Sequence, residues 1–468
     1  MACCSGLLVS VWAGDPQHHT LSATLHELEL TKDAAAASDE PGGKYPTIRP
    51  QEFGAKCDGV ADDTQAFETF LHALSSQSRP VAGVISGHCK LTRNVGWHAP
   101  PGAVLQGETV GGLKPGILCA GSSAGWCFII SGGTATAAKA AIAYDAEKGA
   151  KQVSVSDSSI FGSGDYVLVT YGNFSDANAA NLFSQGQLNK IVSKASNTLT
   201  LAYPITFPIK LDFRTATVQK LEVTNGLTLK NLTVDASSST GRQSGMLIAY
   251  FSNADISAVN ARNFLAAGQT GVAVLDCDDC HIDDVHVGQI SNTGLYLYGL
   301  QHSVVSNIQA HEIMGDGVEF TWSSGSTVFN VVVALAPKSE ARVFKTTGST
   351  DNTFKNLTLT GGQVRTGLSF SSGTSYNKIY NLVSTKSASC VWLNGTGNNY
   401  NYFDGVITND CNIRATTSIK PRIGYSISVG RTAPYVDVGN TFINVDGRSR
   451  PYVAVINASN TISYRPPR

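Results

Sequence analysis

Two carboxyl groups stand three residues apart in the segment GDGVEF, at Asp316 and Glu319. Hydrolysis of a glycosidic bond generally uses such a pair, because one carboxyl protonates the leaving oxygen while the other acts as base or nucleophile. A turn at Gly317 would bring both side chains to one side of the strand that follows. We therefore predict Glu319 and Asp316 as catalytic residues. The alternative is that Asp316 shapes a turn and that Glu319 is an exposed side chain without a catalytic role.

The glycine between these two acids belongs to a repeat of 23 residues, through Gly271, Gly294 and Gly317. Each glycine opens a short apolar run, and related runs follow at steps of 23 to 26 residues, at Gly245, Arg342, Gly367 and Cys390. A second series of Asn and Asp residues keeps similar spacing: Asn231, Asp284, Asn307, Asn330, Asn356, Asn381 and Asp404. A period of this length is typical of a solenoid, in which each repeat forms one coil.

Side chains alternate between the two sides of a β-strand. The second and fourth positions of each repeat are apolar, as Val272 and Val274 are in GVAVL, so they should fill the interior. Such short runs, bounded by Gly, Asn, Asp and Ser, are too short for helices. We predict an all-β chain folded as a right-handed parallel β-helix. The repeated Asn and Asp residues would take the left-handed conformation at one corner, where their side chains can stack and hydrogen-bond.

The third position of each repeat faces outward, so each coil contributes one residue to a column on the surface. By this reasoning the column is Leu247, Ala273, Tyr296, Glu319, Phe344, Ser369 and Trp392. Aromatic rings suit the apolar faces of sugars, and Tyr298 adds another ring at the fifth position of its coil. We predict that Tyr296, Tyr298, Phe344 and Trp392 bind a saccharide beside Glu319. Alternatively, a loop or a neighbouring subunit covers this aromatic patch.

Arg342 and Lys345 interrupt the repeat one coil after Glu319. Arg342 replaces the opening glycine, and Lys345 falls on a position that faces inward in the other coils. We predict that both bind substrate, because their cations suit the carboxylate of an acidic sugar. In an elimination reaction such a cation would neutralise a uronate while a base removes a proton, with His311 and Tyr296 as further available groups.

The charge of the 468-residue chain is almost balanced, with 34 basic and 35 acidic residues. This balance argues against a nucleic-acid partner and an anionic membrane surface. Since no apolar run reaches about 18 residues, we predict no membrane span. The ten cysteines leave disulfide pairing open. The CDDC turn at Cys277 lacks a second pair at zinc-ligand spacing, and stacked turn residues explain its acidic cluster more simply than calcium, so we predict no metal and no cofactor.

The segment from Arg49 to Leu74 combines a short strand, a Gly/Asp turn and apolar residues at helical spacing. We predict a helix that begins after Asp62 and Asp63 and closes the open end of the solenoid. The sequence EFGAKCDGVADDTQAF within this segment resembles the opening of the pectate-lyase-3, or rhamnogalacturonase/epimerase-like, group of pectin-lyase-fold proteins. The resemblance implies the same β-helix, with a small β-insertion near residues 160–210.

That group includes bacteriophage tailspike depolymerases and bacterial polysaccharide hydrolases, lyases and epimerases. The resemblance therefore implies a polysaccharide depolymerase that is secreted or virion-associated, and a homotrimer if the chain is a tailspike. The carboxylate pair favours endo-hydrolysis. A lyase acting by β-elimination on a uronic-acid polymer and a non-catalytic carbohydrate-binding solenoid are the alternatives.

The chain is expected to divide into three parts. Residues 1–44 would form an arm or linker, with a degraded signal peptide as the alternative for its apolar start. Residues 45–415 would form the β-helix. Residues 416–468 lack the markers of the repeat and would form a C-terminal cap or an oligomerisation segment.

Overall fold

A computed structural model describes residues 45–77, 81–110, 115–172, 184–211, 215–239, 241–336, 339, 341–361, 366–394, 397–411, 425–429, 437–447, 454–455 and 459–464. Within these residues the predicted parallel β-helix is confirmed, since successive coils pair strand on strand along one axis. The arm predicted at residues 1–44 lies outside the described residues. In the described ranges, no helix has both the length and the apolar character needed to cross a membrane.

The N-terminal end is formed by β1 (Thr47–Ile48), a 3-10 helix (Pro50–Phe53), β2 (Asp58–Asp62) and α1 (Thr64–Ser75). Helix α1 is amphipathic, and its residues Phe67 and Phe70 are fully buried against the first coils. Asp63 precedes the helix without capping it through its side chain. Its carboxylate instead accepts backbone N–H bonds from Lys56 at 2.7 Å and Lys90 at 3.0 Å, which ties the turn to the neighbouring strand.

The first coils consist of short strands with parallel pairing between coils. They are β3 (Ala82–Ser86), β4 (His88–Leu91), β5 (Val95–His98), β6 (Ala103–Glu108), β7 (Gly116–Cys119) and β8 (Gly125–Ser131).

An antiparallel sheet of six strands, here called the insertion, then interrupts the coils. Its strands are β9 (Ala135–Ala141), β10 (Gln152–Ser154), β11 (Tyr166–Gly172), β12 (Ser184–Ala195), β13 (Thr198–Leu201) and β14 (Thr215–Leu221). Its described strands lie within and on both sides of residues 160–210, where the sequence suggests a β-insertion. The insertion has its own apolar core, with Val167, Val169, Phe207 and Val218 fully buried.

The later coils form the longest part of the β-helix. Their strands are β15 (Thr224–Asp235), β16 (Gln243–Phe264), β17 (Val272–Asp278), β18 (His281–Ile290), β19 (Leu295–Gln301), β20 (Val304–Ile313), β21 (Val318–Thr321), β22 (Thr327–Leu335), β23 (Phe344–Thr347), β24 (Thr353–Thr360), β25 (Thr366–Ser371), β26 (Lys378–Thr385), β27 (Ser389–Asn394), β28 (Tyr402–Asn409), β29 (Tyr425–Val429), β30 (Thr441–Gly447), β31 (Ala454–Val455) and β32 (Thr461–Tyr464). Parallel pairing continues past residue 415 through β29 to β32, so the segment expected to be a cap holds further coil strands.

The corner series of Asn and Asp residues behaves largely as predicted. Its members from Asn231 to Asn381 have positive φ values between 52° and 56°, while Gly405 rather than Asp404 takes this conformation in the next coil. Asn330 donates to the Asn307 side chain at 3.2 Å, and Asn356 donates to Asn330 at 3.0 Å. Asn and Asp tolerate this backbone region better than other residues with side chains, which explains why they recur at the corner.

A second, buried ladder of amides runs inside the later coils, and the sequence analysis missed it. Its members donate Nδ2 to the Oδ1 of the next, at 2.9 to 3.0 Å, through Asn352, Asn377, Asn401, Asn440 and Asn460. Because each buried amide is satisfied by its neighbours, the polar groups do not destabilise the interior.

Eight of the ten cysteines form disulfides: Cys57–Cys89, Cys119–Cys127, Cys277–Cys280 and Cys390–Cys411. The remaining two, Cys3 and Cys4, lie outside the described residues. Disulfides persist in oxidising compartments and are rare in the cytosol. The four disulfides are therefore evidence about the compartment in which the protein is found.

Loss of the Cys57–Cys89 disulfide is expected to destabilise the N-terminal end. The two cysteines are 32 residues apart and join the segment before α1 to β4. Replacing both by Ala should lower the free energy of unfolding by about 3–4 kcal/mol, because the unfolded chain regains the entropy of an open loop. Guanidinium denaturation followed by circular dichroism measures the change. The Cys277–Cys280 pair, three residues apart, is the control, and an equal loss in both double variants would contradict the loop-entropy argument.

Candidate active site

The outward column of the later coils is Tyr296, Glu319, Lys345, Ser369 and Trp392. Strand pairing places Glu319 between Tyr296 on one side and Lys345 on the other, and Ser369 and Trp392 follow in register. Since paired strands lie about 4.8 Å apart, the column from Tyr296 to Trp392 is roughly 19 Å long.

The predicted position of Phe344 in this column is wrong. Phe344 is fully buried in the core, and its register partner is Val318, which also faces inward. The coil opens at Val343, whose carbonyl accepts from Val318, and not at Arg342. This shift by one residue turns each side chain of the strand to the opposite face. Lys345, expected to face inward, therefore stands in the outward column beside Glu319.

Four charged residues from two neighbouring coils form one group, here called the charge cluster: Asp316, Glu319, Arg342 and Lys345. Arg342 holds Asp316 in two places, with Nε 3.0 Å from Oδ1 and Nη2 3.0 Å from Oδ2. Lys345 Nζ lies 2.5 Å from Glu319 Oε1 and 3.9 Å from Asp316 Oδ2. The structure thus brings together the two predicted catalytic acids and the two predicted substrate-binding cations.

The two acids of the charge cluster differ in exposure. The Asp316 side chain is 9% exposed, against 16% for Glu319. Burial disfavours the ionised form of Asp316, but the charges of Arg342 and Lys345 and the hydrogen bonds from Arg342 outweigh it and hold the pKa of Asp316 below its usual value. Asp316 is therefore an anion at neutral pH, and it cannot donate a proton there.

The insertion closes one end of the column. Leu247 and Ala273, which the repeat assigns to the same column, are 6% and 0% exposed, because they pack in an apolar cluster with Leu168 and Leu188 of the insertion. The partly exposed Tyr296 is packed against this cluster. Beyond it lie Glu319, Lys345 and Trp392, so the edge of the insertion forms a wall beside the charge cluster.

Tyr298 occupies the fifth position of its coil and faces this wall. Its ring centroid lies 6.1 Å from that of Tyr296 and 5.3 Å from that of Trp322. Trp322 packs so closely on Gly186 of the insertion that a Cβ at Gly186 would approach its ring to 2.7 Å. Trp322 is not among the predicted site residues, although it directly follows the strand that carries Glu319 and is a large aromatic residue next to the predicted column.

The insertion also docks on the corner that follows the column. Two hydroxyl groups of the insertion, Tyr166 and Tyr203, donate to Asp278 Oδ2 at 3.2 and 3.3 Å. Gln185 donates to the Gly373 carbonyl at 2.7 Å. The insertion is thus fixed to several coils along one side of the β-helix.

A buried acid, Asp276, lies beneath the docked insertion. It is 4% exposed, and among the residues that the structure describes its Oδ1 atom has no hydrogen-bond partner. Gly299 leaves the room for it, because a Cβ at Gly299 would lie 2.3 Å from Asp276 Oδ1. Burial raises the pKa of Asp276 to about 7.

Replacing Asp276 by Asn is expected to stabilise the protein at alkaline pH. When folding raises the pKa of a carboxyl, the free energy of unfolding keeps its full value below the unfolded pKa of about 3.9. That free energy then falls as pH rises to about 7, because the buried carboxyl must hold a proton that the unfolded chain releases. The variant should gain on the order of 1–4 kcal/mol over the wild type at pH 8 and nearly nothing at pH 4. Thermal melting of both proteins across this range measures it. Asp410→Asn, at an exposed residue of similar backbone conformation, is the control, and a gain at Asp276 that does not depend on pH would contradict the argument.

Comparison with known proteins establishes the fold. No sequence model of a known protein family matches the chain, and no curated protein matches its sequence. Among solved structures, the Agl-KA catalytic domain matches with a TM-score of 0.52 and 10% identity, over 92% of this chain and 70% of that chain. The A-module of mannuronan C-5 epimerase AlgE6 from Azotobacter vinelandii matches with a TM-score of 0.50 and 10% identity, over 90% of this chain and 100% of that chain.

A tailspike, Gp54 of Acinetobacter baumannii bacteriophage AP22, solved with a capsular saccharide, is similar over 89% of this chain and 74% of that chain, with a TM-score of 0.47 and 11% identity. The predicted resemblance to pectin-lyase-fold proteins is confirmed at the level of fold.

Proposed function

We propose that the protein is a polysaccharide depolymerase with Glu319 as its principal catalytic carboxyl. The observation that carries this proposal is the charge cluster, in which two carboxylates and two cations meet on the outward column next to the wall formed by the insertion. Such a cluster beside a solenoid face fits a polymer, because a column of equivalent positions can contact successive units of one chain. Tyr296 adjoins the cluster, and Trp392 lies two coils beyond Lys345, past the buried Ser369; both rings would contact the faces of sugar rings.

Hydrolysis is the reaction that the spacing of the carboxylates supports best. Their distances to Lys345 place Glu319 Oε1 and Asp316 Oδ2 no more than about 6.4 Å apart, a limit that includes the roughly 5–5.5 Å of retaining glycosidases. In this proposal the ionised Asp316 stabilises the positive charge that develops on the sugar ring. Glu319, the more exposed acid, transfers the proton to the leaving oxygen. Water then attacks the sugar carbon and returns a proton to the Glu319 carboxylate, which Lys345 holds in place through its hydrogen bond.

Elimination is the second candidate reaction, and the position of Lys345 favours it. Lys345 stands in the outward column one coil from Glu319, and its side chain is only 18% exposed. A uronate carboxylate that replaced Glu319 as its partner would be neutralised, which acidifies the neighbouring C–H bond. Substrates of this reaction would be uronic-acid polymers.

The disulfides support an extracellular location for this activity, either secreted or virion-associated. A homotrimer belongs to the virion-associated form of the proposal. Light scattering of the purified protein distinguishes a trimer from a monomer.

Incubation with a panel of bacterial and plant polysaccharides tests the proposed function. Hydrolysis releases reducing ends without an unsaturated product, whereas elimination also produces an unsaturated sugar that absorbs in the ultraviolet. Retention of a polysaccharide without any cleavage would overturn the proposal in favour of a carbohydrate-binding solenoid. Cleavage that survives loss of Glu319 would overturn the assignment of the site.

A further inference from the structure

Three residues at the junction of the insertion and the β-helix converge in a way that the proposed function does not use. Asp278, Asp279 and His302 each offer one potential ligand atom, and these atoms lie within 4.8 Å of one another. Asp278 and Asp279 stand between Cys277 and Cys280, whose disulfide fixes the turn that carries both acids. His302 comes from the corresponding corner of the next coil. Gln301, the residue before His302, pairs in register with Asp278.

The Asp278 carboxylate is directed into this group with one oxygen unused. Its side chain is only 4% exposed, and its Oδ2 accepts from Tyr166 and Tyr203 of the insertion. The other oxygen, Oδ1, is buried and without a hydrogen-bond partner within the described residues. It faces His302 Nδ1 at 4.0 Å. Since a buried carboxylate oxygen without a partner is destabilising, this atom calls for a cation or a hydrogen-bond donor.

His302 is oriented by its own neighbours. The Tyr203 ring packs edge-on against the imidazole, with centroids 3.9 Å apart. The Gln301 amide nitrogen lies 3.0 Å from His302 Nε2 and 3.2 Å from Nδ1, and the amide oxygen accepts from Ser324 Oγ at 2.6 Å. Exchanging the two amide atoms keeps both contacts, because a serine hydroxyl can also accept. The amide oxygen then accepts the hydrogen on Nε2, which leaves Nδ1, 4.0 Å from Asp278 Oδ1, as the unprotonated ring nitrogen.

We propose that Asp278, Asp279 and His302 bind a divalent transition-metal ion of the zinc type at the junction between the insertion and the β-helix. Two carboxylates and one imidazole are a ligand set that zinc accepts, with ligand atoms about 2.0–2.2 Å from the ion. The exposed Asp279 side chain can approach the ion by rotation. Tyr166 and Tyr203 hold the second oxygen of Asp278, so the ion links the insertion to the β-helix through them.

Zinc titration of the full chain, after removal of metals with a chelator, tests the proposal by calorimetry and by thermal melting. We expect one high-affinity site that involves His302, together with a rise in melting temperature on adding zinc chloride. His302→Gln and Asp279→Asn should each lower the affinity of that site about 10- to 100-fold. Both residues have solvent-exposed surface, and circular dichroism checks that each variant remains folded.

His286→Gln is the matched control, because His286 also faces a carboxylate, with Nε2 2.9 Å from Asp284 Oδ1, but within the described part of the chain it forms no ion pair with a second acid. This variant should bind zinc as the wild type does. The proposal is overturned if the wild type shows no such site, or if His302→Gln binds zinc with unchanged affinity. It is also overturned if calcium chloride binds as tightly as zinc chloride, since that result would indicate an acidic cluster without a role for the imidazole.

Discussion

The Glu319→Gln variant is expected to cleave polysaccharide at least about 100-fold more slowly than the wild type, while remaining folded. Removing a group that transfers a proton in the transition state typically costs a factor of 10² to 10⁴ in rate. The fold should survive, because the Gln amide oxygen can still accept the hydrogen bond that Lys345 now donates to Glu319 at 2.5 Å. Initial rates of reducing-end release measure the effect, on whichever polysaccharide the wild type cleaves.

Glu68→Gln provides the control for this experiment. Glu68 also forms an ion pair, with Arg93 at 2.6 Å, but it lies on α1 at the N-terminal end of the β-helix. Its replacement should leave the rate unchanged. If Glu319→Gln retains more than about a tenth of the wild-type rate, Glu319 does not transfer the proton.

The Asp316→Asn variant is expected to lose about 3–5 kcal/mol of folding free energy, the cost of breaking a buried ion pair by removing one partner. Asp316 is 9% exposed and Arg342 25% exposed, so water compensates little for the lost charge. The change would leave Arg342 without its bidentate partner and Lys345 with Glu319 alone. Chemical denaturation at pH 7 measures the loss.

The pH dependence of this loss follows from the lowered pKa of Asp316. A carboxylate whose pKa is depressed on folding contributes stability that is present above its unfolded pKa of about 3.9 and is lost as pH falls through the folded pKa. The difference between wild type and Asp316→Asn should therefore be constant from pH 5 to pH 7 and should shrink only below about pH 4.

Asp255→Asn is the matched control for Asp316→Asn, because it removes a partner of Lys230 at 2.8 Å whose side chain is 39% exposed, against 9% for Asp316. Exposed ion pairs contribute about 0–1 kcal/mol, so its effect should be small. Equal losses in the two variants would show that the charge cluster is not held in a low-dielectric site.

The fold could be predicted from the sequence because its coils are nearly independent of one another. The same sequence pattern recurs from coil to coil: a glycine opens the strand, as at Gly271, Gly294 and Gly317, and a residue that tolerates positive φ stands at the corner. The predicted register was wrong in the coil where that pattern is ambiguous. In the run RVFKT both Val343 and Phe344 are apolar, so the alternation fits two registers. The better signal was Lys345, because a lysine side chain is rarely found in the interior of a solenoid.

The candidate site could be predicted only in part, for a different reason. The pairing of Glu319 with Lys345 follows from the register of adjacent coils once the shift at Val343 is known. The wall beside this pair does not follow from the register, because the wall depends on contacts such as that between Tyr166 and Asp278, which are 112 residues apart in the chain. No local spacing encodes where an insertion folds back on the coils. The buried amide ladder was missed because isolated Asn residues near turns are expected to be exposed.

The insertion leaves the β-helix and returns to it at one point. Ala135 of its first strand pairs with Leu221 of its last, and Glu222 donates to the Thr134 carbonyl at 2.8 Å. The coils on either side can therefore close without it, much as a loop can be lengthened at little cost to the scaffold. In evolutionary terms this makes the insertion a cassette. Recombination can exchange it whole while Asp316, Glu319 and their cations stay on the coils; under the proposed function, such an exchange would change which polymer is bound.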